Sequence, residues 1–152
     1  MKRISIFLLC LILITSLYAC GAEPDSSRIS FAREDFSPVN SAVLRNLHNG
    51  KGTYISDPED IQALCAFLRS VNGVNAESAH GYYEGSYSLT LFASKSPTQA
   101  VLKEETPLFS IVFGDSSTFH YGIGEDGYPI RYELKGISID EVIETLAAFD
   151  IS

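Results

Sequence analysis

The chain is short of positive charge: 11 Lys and Arg face 19 Asp and Glu, a net charge of −8. Affinity for nucleic acid comes mainly from Lys and Arg displacing counterions from phosphate, so this balance argues against a nucleic-acid partner. Strong reaction motifs are missing as well. There is no H-E-x-x-H, no C-x-x-C, no G-x-S-x-G and no Walker loop. Cysteine is scarce, with three in 152 residues. Only one long apolar run occurs, and it stands at the N-terminus.

That run reads MKRISIFLLCLILITSLYACGAEP. Lys2 and Arg3 form a basic n-region, Ile4 to Ile14 are almost entirely apolar, and the small Ala19 precedes Cys20, the layout of a secretory signal peptide. A transmembrane helix needs about 20 apolar residues, so the run targets rather than spans. Ordinary signal peptidase favours small residues one and three positions before the cut, where this chain has Ala19 and the bulky Leu17. Leu17-Tyr18-Ala19-Cys20 instead resembles the lipobox of bacterial lipoproteins. The resemblance implies a thioether-linked diacylglycerol on Cys20, which becomes the mature N-terminus. Stable anchoring generally takes two acyl chains, which a diacylglycerol supplies. The expected location is the extracytoplasmic face of the cell membrane, with residues 1–19 as signal peptide.

Loss of Lys2 and Arg3 leaves nine bases against 19 acids, a mature charge of about −10. A domain so acidic is expected to be repelled by anionic headgroups, leaving attachment to the lipid on Cys20. Cys10 departs with the signal and Cys20 is acylated, so Cys65 has no internal disulfide partner. About 130 residues remain, enough for one packed domain. Residues 20–40, CGAEPDSSRISFAREDFSPVN, are rich in Ser, Asp, Pro and Glu and read as a flexible linker spanning on the order of 20–25 Å. The domain is then 41–152.

Within it, Ser41–Leu47 and Thr53–Ile55 flank an Asn49-Gly50 hairpin signal. Asp57 or Ser56 caps a helix that Pro58, Glu59 and Asp60 favour, with Ile61, Leu64, Cys65, Leu68 and Val71 on one face and Asn72-Gly73 as its stop. At that spacing Cys65 reads as a core residue, since a reactive thiolate needs an exposed electropositive setting. A Gly- and Tyr-containing loop, 76–85, leads to four runs of period two. Their apolar sets are Tyr87, Leu89, Leu91, Ala93; Phe109, Ile111, Phe113; Phe119, Tyr121, Ile123; and Tyr128, Ile130, Tyr132, Leu134. Such alternation predicts antiparallel strands with one packed face. Ser138 and Glu141 form a capping box before an apolar stripe of Ile139, Val142, Ile143, Leu146 and Phe149. The reading is an α+β domain, an antiparallel sheet with two helices packed on one face, in the order β-β-α-β-β-β-β-α.

Gly122 to Gly127, GIGEDG, match the G-x-G-x-x-G spacing of dinucleotide loops. That fingerprint needs a following helix N-terminus to hold the pyrophosphate. Here a strand pattern follows, Glu125 and Asp126 would repel phosphate, and Asp126-Gly127 signals a tight turn, so the expectation is a hairpin and no nucleotide. His48, His80 and His120 are far apart and predict no metal site. Glu104-Glu105, Glu125-Asp126 and Asp140-Glu141 read as solvated turns or a helix start rather than a catalytic pair. No cofactor is indicated.

The unusual stretch is His80-Gly81-Tyr82-Tyr83-Glu84-Gly85-Ser86-Tyr87. Tyrosines beside glycines suit a recognition surface, making His80, Tyr82, Tyr83 and Tyr87 candidate partner contacts. Alternatively, Tyr82 and Tyr83 begin the next strand and cover the sheet edge. As a whole the chain is similar to the small lipoprotein domains of unknown function common in Gram-positive bacteria, a resemblance that carries no catalytic residues. The functional expectation is a lipid-anchored binding domain for a protein, peptide or envelope component. Its rivals are a cell-envelope hydrolase using scattered carboxylates and histidines, and a small-ligand carrier.

Overall fold

A computed structural model describes residues 27–76, 85–114, 116–124 and 127–150. In chain order these form β1 (Arg28–Ser30), β2 (Ser41–Asn46), β3 (Gly52–Ile55), α1 (Pro58–Ser70), β4 (Asn72–Asn75), β5 (Gly85–Phe92), α2 (Pro97–Leu102), β6 (Phe109–Gly114), β7 (Thr118–Ile123), β8 (Pro129–Lys135) and α3 (Ile139–Ala147). The strands make one sheet, ordered β1-β4-β8-β7-β6-β5-β2-β3, with every neighbouring pair antiparallel. The class is α+β. The element order has two more strands, β1 and β4, and one more helix, α2, than the sequence reading contains.

The first difference lies in the expected linker. Residues 28–30 pair with β4, and Phe31, Phe36 and Val39 are buried in the main core. Phe31 meets Phe109 and Tyr121 edge-on at 5.0 and 4.8 Å, and Arg69 stacks over Phe36 at 5.4 Å. Burying each such aromatic side chain stabilises by roughly 1.5–3 kcal/mol, which together with the pairing of β1 on β4 offsets part of the entropy of ordering the stretch. The folded domain therefore takes in 27–40.

The second difference lies at Gly73. Asp57 caps α1 through Glu59 and Asp60 as expected, and Ile61, Leu64, Cys65 and Leu68 are buried. Asn72-Gly73 then opens β4 instead of serving as a helix stop. A Cβ at Gly73 would sit 2.6 Å from Phe119 Cε1 and 2.8 Å from Tyr132 Cβ, so glycine is there to admit a stacked ring pair, centroids 5.3 Å apart.

Register fixes the faces, because Cα partners share one side of a sheet. One face carries Leu44, Leu89, Ile111, Phe113, Phe119, Tyr132 and Leu134, in one cluster with Leu64 and Leu68 of α1 and Val142 and Leu146 of α3. Phe67 of α1 lies 5.9 Å from Phe113. The Ser138–Glu141 capping box starts α3 as expected. Ile123 and Tyr128, assigned inward by the alternation, are 67% and 63% exposed. The register slips between His120 and Ile123, where Gly122 adopts φ 72°, and the bulge turns the hairpin tip out of the core.

Candidate functional site

The other face of the sheet is set by the alternate residues. Across four pairings Arg45, Ser88, Val112, His120 and Arg131 follow one another, and beside this row run Tyr54, Val43, Thr90 and Ser110. These side chains are half-buried or exposed, Tyr54 at 69%. Over β2, β5 and β6 the face dips into a groove of about 570 Å³ lined by Val43, Arg45, Leu47, Ser88, Thr90, Phe92 and Val112. It combines apolar side chains, two hydroxyls and one guanidinium. Such a surface offers apolar contact, hydrogen-bonding hydroxyls and one positive charge.

The residues singled out from sequence fall elsewhere. Cys20, His80, Tyr82 and Tyr83 lie outside the described residues. Tyr87 is 6% exposed and points into the core opposite Asn46 and Phe113, so it is not a surface contact. Burial, with Asp150 nearby, holds its phenol above the ordinary range. Asp150 also accepts from Asn46 and Thr53 at 3.3 and 3.2 Å, tying the end of α3 to β2 and β3.

The two described histidines are held apart. His48 Nε2 lies 3.4 Å from Ser86 Oγ in the β2–β3 region. His120 is on β7, two strands away from β5, where burial and then Arg131 keep its pKa below the ordinary value. Among the described residues no three His, Cys, Asp or Glu stand close enough to hold a metal ion. Nor, among them, is any helix long and apolar enough to cross a membrane.

Glu105, read as solvated, is engaged. Its carboxylate accepts from the Ala93 and Ser94 amides at 2.8 and 3.1 Å and from Ser94 Oγ. The Ser94 hydroxyl, with these amides, keeps its pKa below the ordinary carboxylate value. Glu141 is likewise held low by the backbone and hydroxyl of Ser138. Glu125 and Asp126 lie outside the described residues. The glycine loop is the β7–β8 turn: Gly124 N donates to Tyr128 O at 2.7 Å, Gly127 has φ 81°, and a strand follows. Burial pushes the Cys65 thiol up, the opposite of an activated nucleophile.

The groove residues Val43 and Arg45, like Tyr54 beside them on β3, carry no sequence motif. Their only signal is their place at outward positions of an alternating hairpin, and strand pairing alone brings them beside Ser88 and Val112. No protein-family model matches the chain, and no curated protein or solved structure matches it.

Proposed function

We propose that the chain is a lipid-anchored, extracytoplasmic binding domain that takes a protein, peptide or envelope component on the outward face of its sheet. The anchor reading rests on Leu17-Tyr18-Ala19-Cys20. For the fold, we read α1 and α3 as one layer over a single face, since their buried residues share one cluster with the inward strand residues. The observation that carries the binding role is the groove over β2, β5 and β6, where Val43, Leu47, Phe92 and Val112 gather on a side outside that layer. Apolar residues at outward positions next to Arg45 and paired hydroxyls have the make-up of an interface core with a polar rim.

The test has two parts. Cys20→Ser is expected to abolish incorporation of labelled fatty acid and release the protein from membranes. Unchanged labelling would remove the anchor. Val43→Asp with Val112→Asp, placed in the groove, is expected to abolish recovery of a specific envelope partner while the circular dichroism and melting curve stay native. Undiminished recovery would remove the groove from the account.

A further inference from the structure

The groove over β2, β5 and β6 carries charge of one sign only. At the outward strand positions of β2, β3, β5 and β6 the one charged side chain is Arg45, in a chain with 19 acids. On that face the first strand carboxylate is Glu133 of β8, four strand spacings or roughly 19 Å from β2. Two acids that touch these strands or their ends are already engaged. Glu105 is held by the Ala93 and Ser94 amides, and Asp150 accepts from Asn46 and Thr53 at inward positions. Among the described residues no carboxylate pairs with Arg45.

The groove also has a period. Leu47, Arg45 and Val43 stand at alternate positions in and just beyond β2, about 13 Å from first to last, so this side of the groove reads apolar, cationic, apolar. On β5 Ser88 is the partner of Arg45 and Thr90 that of Val43, and Val112 of β6 lies beyond Ser88. An extended chain has the same period of two and lays alternate side chains on one surface, whereas a helix presents every third or fourth. We propose that the groove recognises an extended peptide segment of a partner protein with the pattern apolar-x-Asp/Glu-x-apolar, its carboxylate on Arg45 and its apolar side chains on Val43 and Leu47. The inference rests on the reading of this groove as the binding face and names the chemistry of what it takes. The Ser88 and Thr90 hydroxyls supply donors for carbonyls of the segment. The apolar side chains flanking Arg45 are covered together with it, so the guanidinium–carboxylate pair is less solvated than one on open surface and sets specificity.

The test selects displayed random nonapeptides on the mature chain, residues 20–152, and on its Arg45→Glu variant, a change at an exposed side chain whose native fold is checked by circular dichroism. The native chain is expected to enrich peptides with Asp or Glu and an apolar residue two positions to either side. On Arg45→Glu the preference is expected to reverse to Lys or Arg at the same place. For one selected peptide followed by fluorescence anisotropy, replacing its acid by the amide is expected to weaken binding about ten-fold on the native chain and less than about two-fold on Arg45→Gln, the size of one charge-assisted hydrogen bond. Enriched peptides that lack an acid, or keep their affinity on Arg45→Gln, would overturn the proposal; if Val43→Asp with Val112→Asp still abolished their binding, the groove itself would stand. Selection that yields no peptide sensitive to that double substitution would also overturn the proposal, while recovery of the envelope partner decides separately whether the groove binds at all.

Discussion

Leu89 and Ser88 are neighbours in β5, yet Leu89 is fully buried among helix and strand side chains while Ser88 is half-exposed between Arg45 and Val112. The same contrast repeats at Phe113 and Val112, and at Phe119 and His120. One face is filled with large rings and branched aliphatics in mutual contact, where each loss is felt as a cavity. The other carries short hydroxyls, valines and arginines whose neighbours are fixed by register rather than by packing. On the proposed reading, stability and recognition are separated by a single residue step along each strand, so substitutions a residue apart should have different consequences.

The largest expected effect is on the packed side. Phe119→Ala removes a fully buried ring that stacks on Tyr132 and lies 6.3 Å from Phe113, and should cost about 3–5 kcal/mol in denaturant unfolding. A loss below 1 kcal/mol would mean the inward face is not the core. Gly73→Val should come next, at about 1–3 kcal/mol, because its side chain must displace the Phe119 ring and the Tyr132 Cβ. A neutral Gly73→Val would show that Asn72-Gly73 is only a helix stop after all.

Cys65→Ala is expected to cost on the order of 1 kcal/mol, and native Cys65 should resist thiol reagents until the protein unfolds. Fast native labelling would contradict its burial. The smallest effect concerns the outward face and pH. His120 has a folded pKa below its unfolded value near 6.5, so the unfolded chain takes up its proton more readily. The contribution of the neutral ring is fully present above pH 6.5 and is lost as pH falls through 6.5 toward the lowered folded value. His120→Gln should flatten the stability profile in that window; an unchanged slope would mean the ring is as well solvated as in the unfolded chain.

The contrast between the faces also marks how much could be read without coordinates. Strands β5 to β8 and helices α1 and α3 were legible because period two, period 3.6 and the caps at Asp57 and Ser138 are local signals. Strands β1 and β4 were not, being three and four residues long, too short to show a period. NGVN has the composition of a turn, and only the rings of Phe119 and Tyr132 explain its glycine. The bulge at Gly122 shifted Ile123 and Tyr128 outward against their alternation. Glu105 looked solvated because Ala93 and Ser94, which its carboxylate holds, lie more than ten residues earlier. The groove was least legible of all. Its residues come from β2, β5 and β6, and no spacing within one strand announces which outward side chain will face which.

The central claim, that the outward face does the binding, is met most directly by photo-crosslinking in intact cells. A benzophenone amino acid is placed at Tyr54 or Val43 on that face, and at Glu59 or Glu144 on the exposed sides of α1 and α3. The account expects one reproducible set of adducts from Tyr54 and Val43, suppressed by Arg45→Ala, and none in common from the helix positions. Adducts from Glu59 or Glu144 alone, with the sheet positions silent, would contradict it.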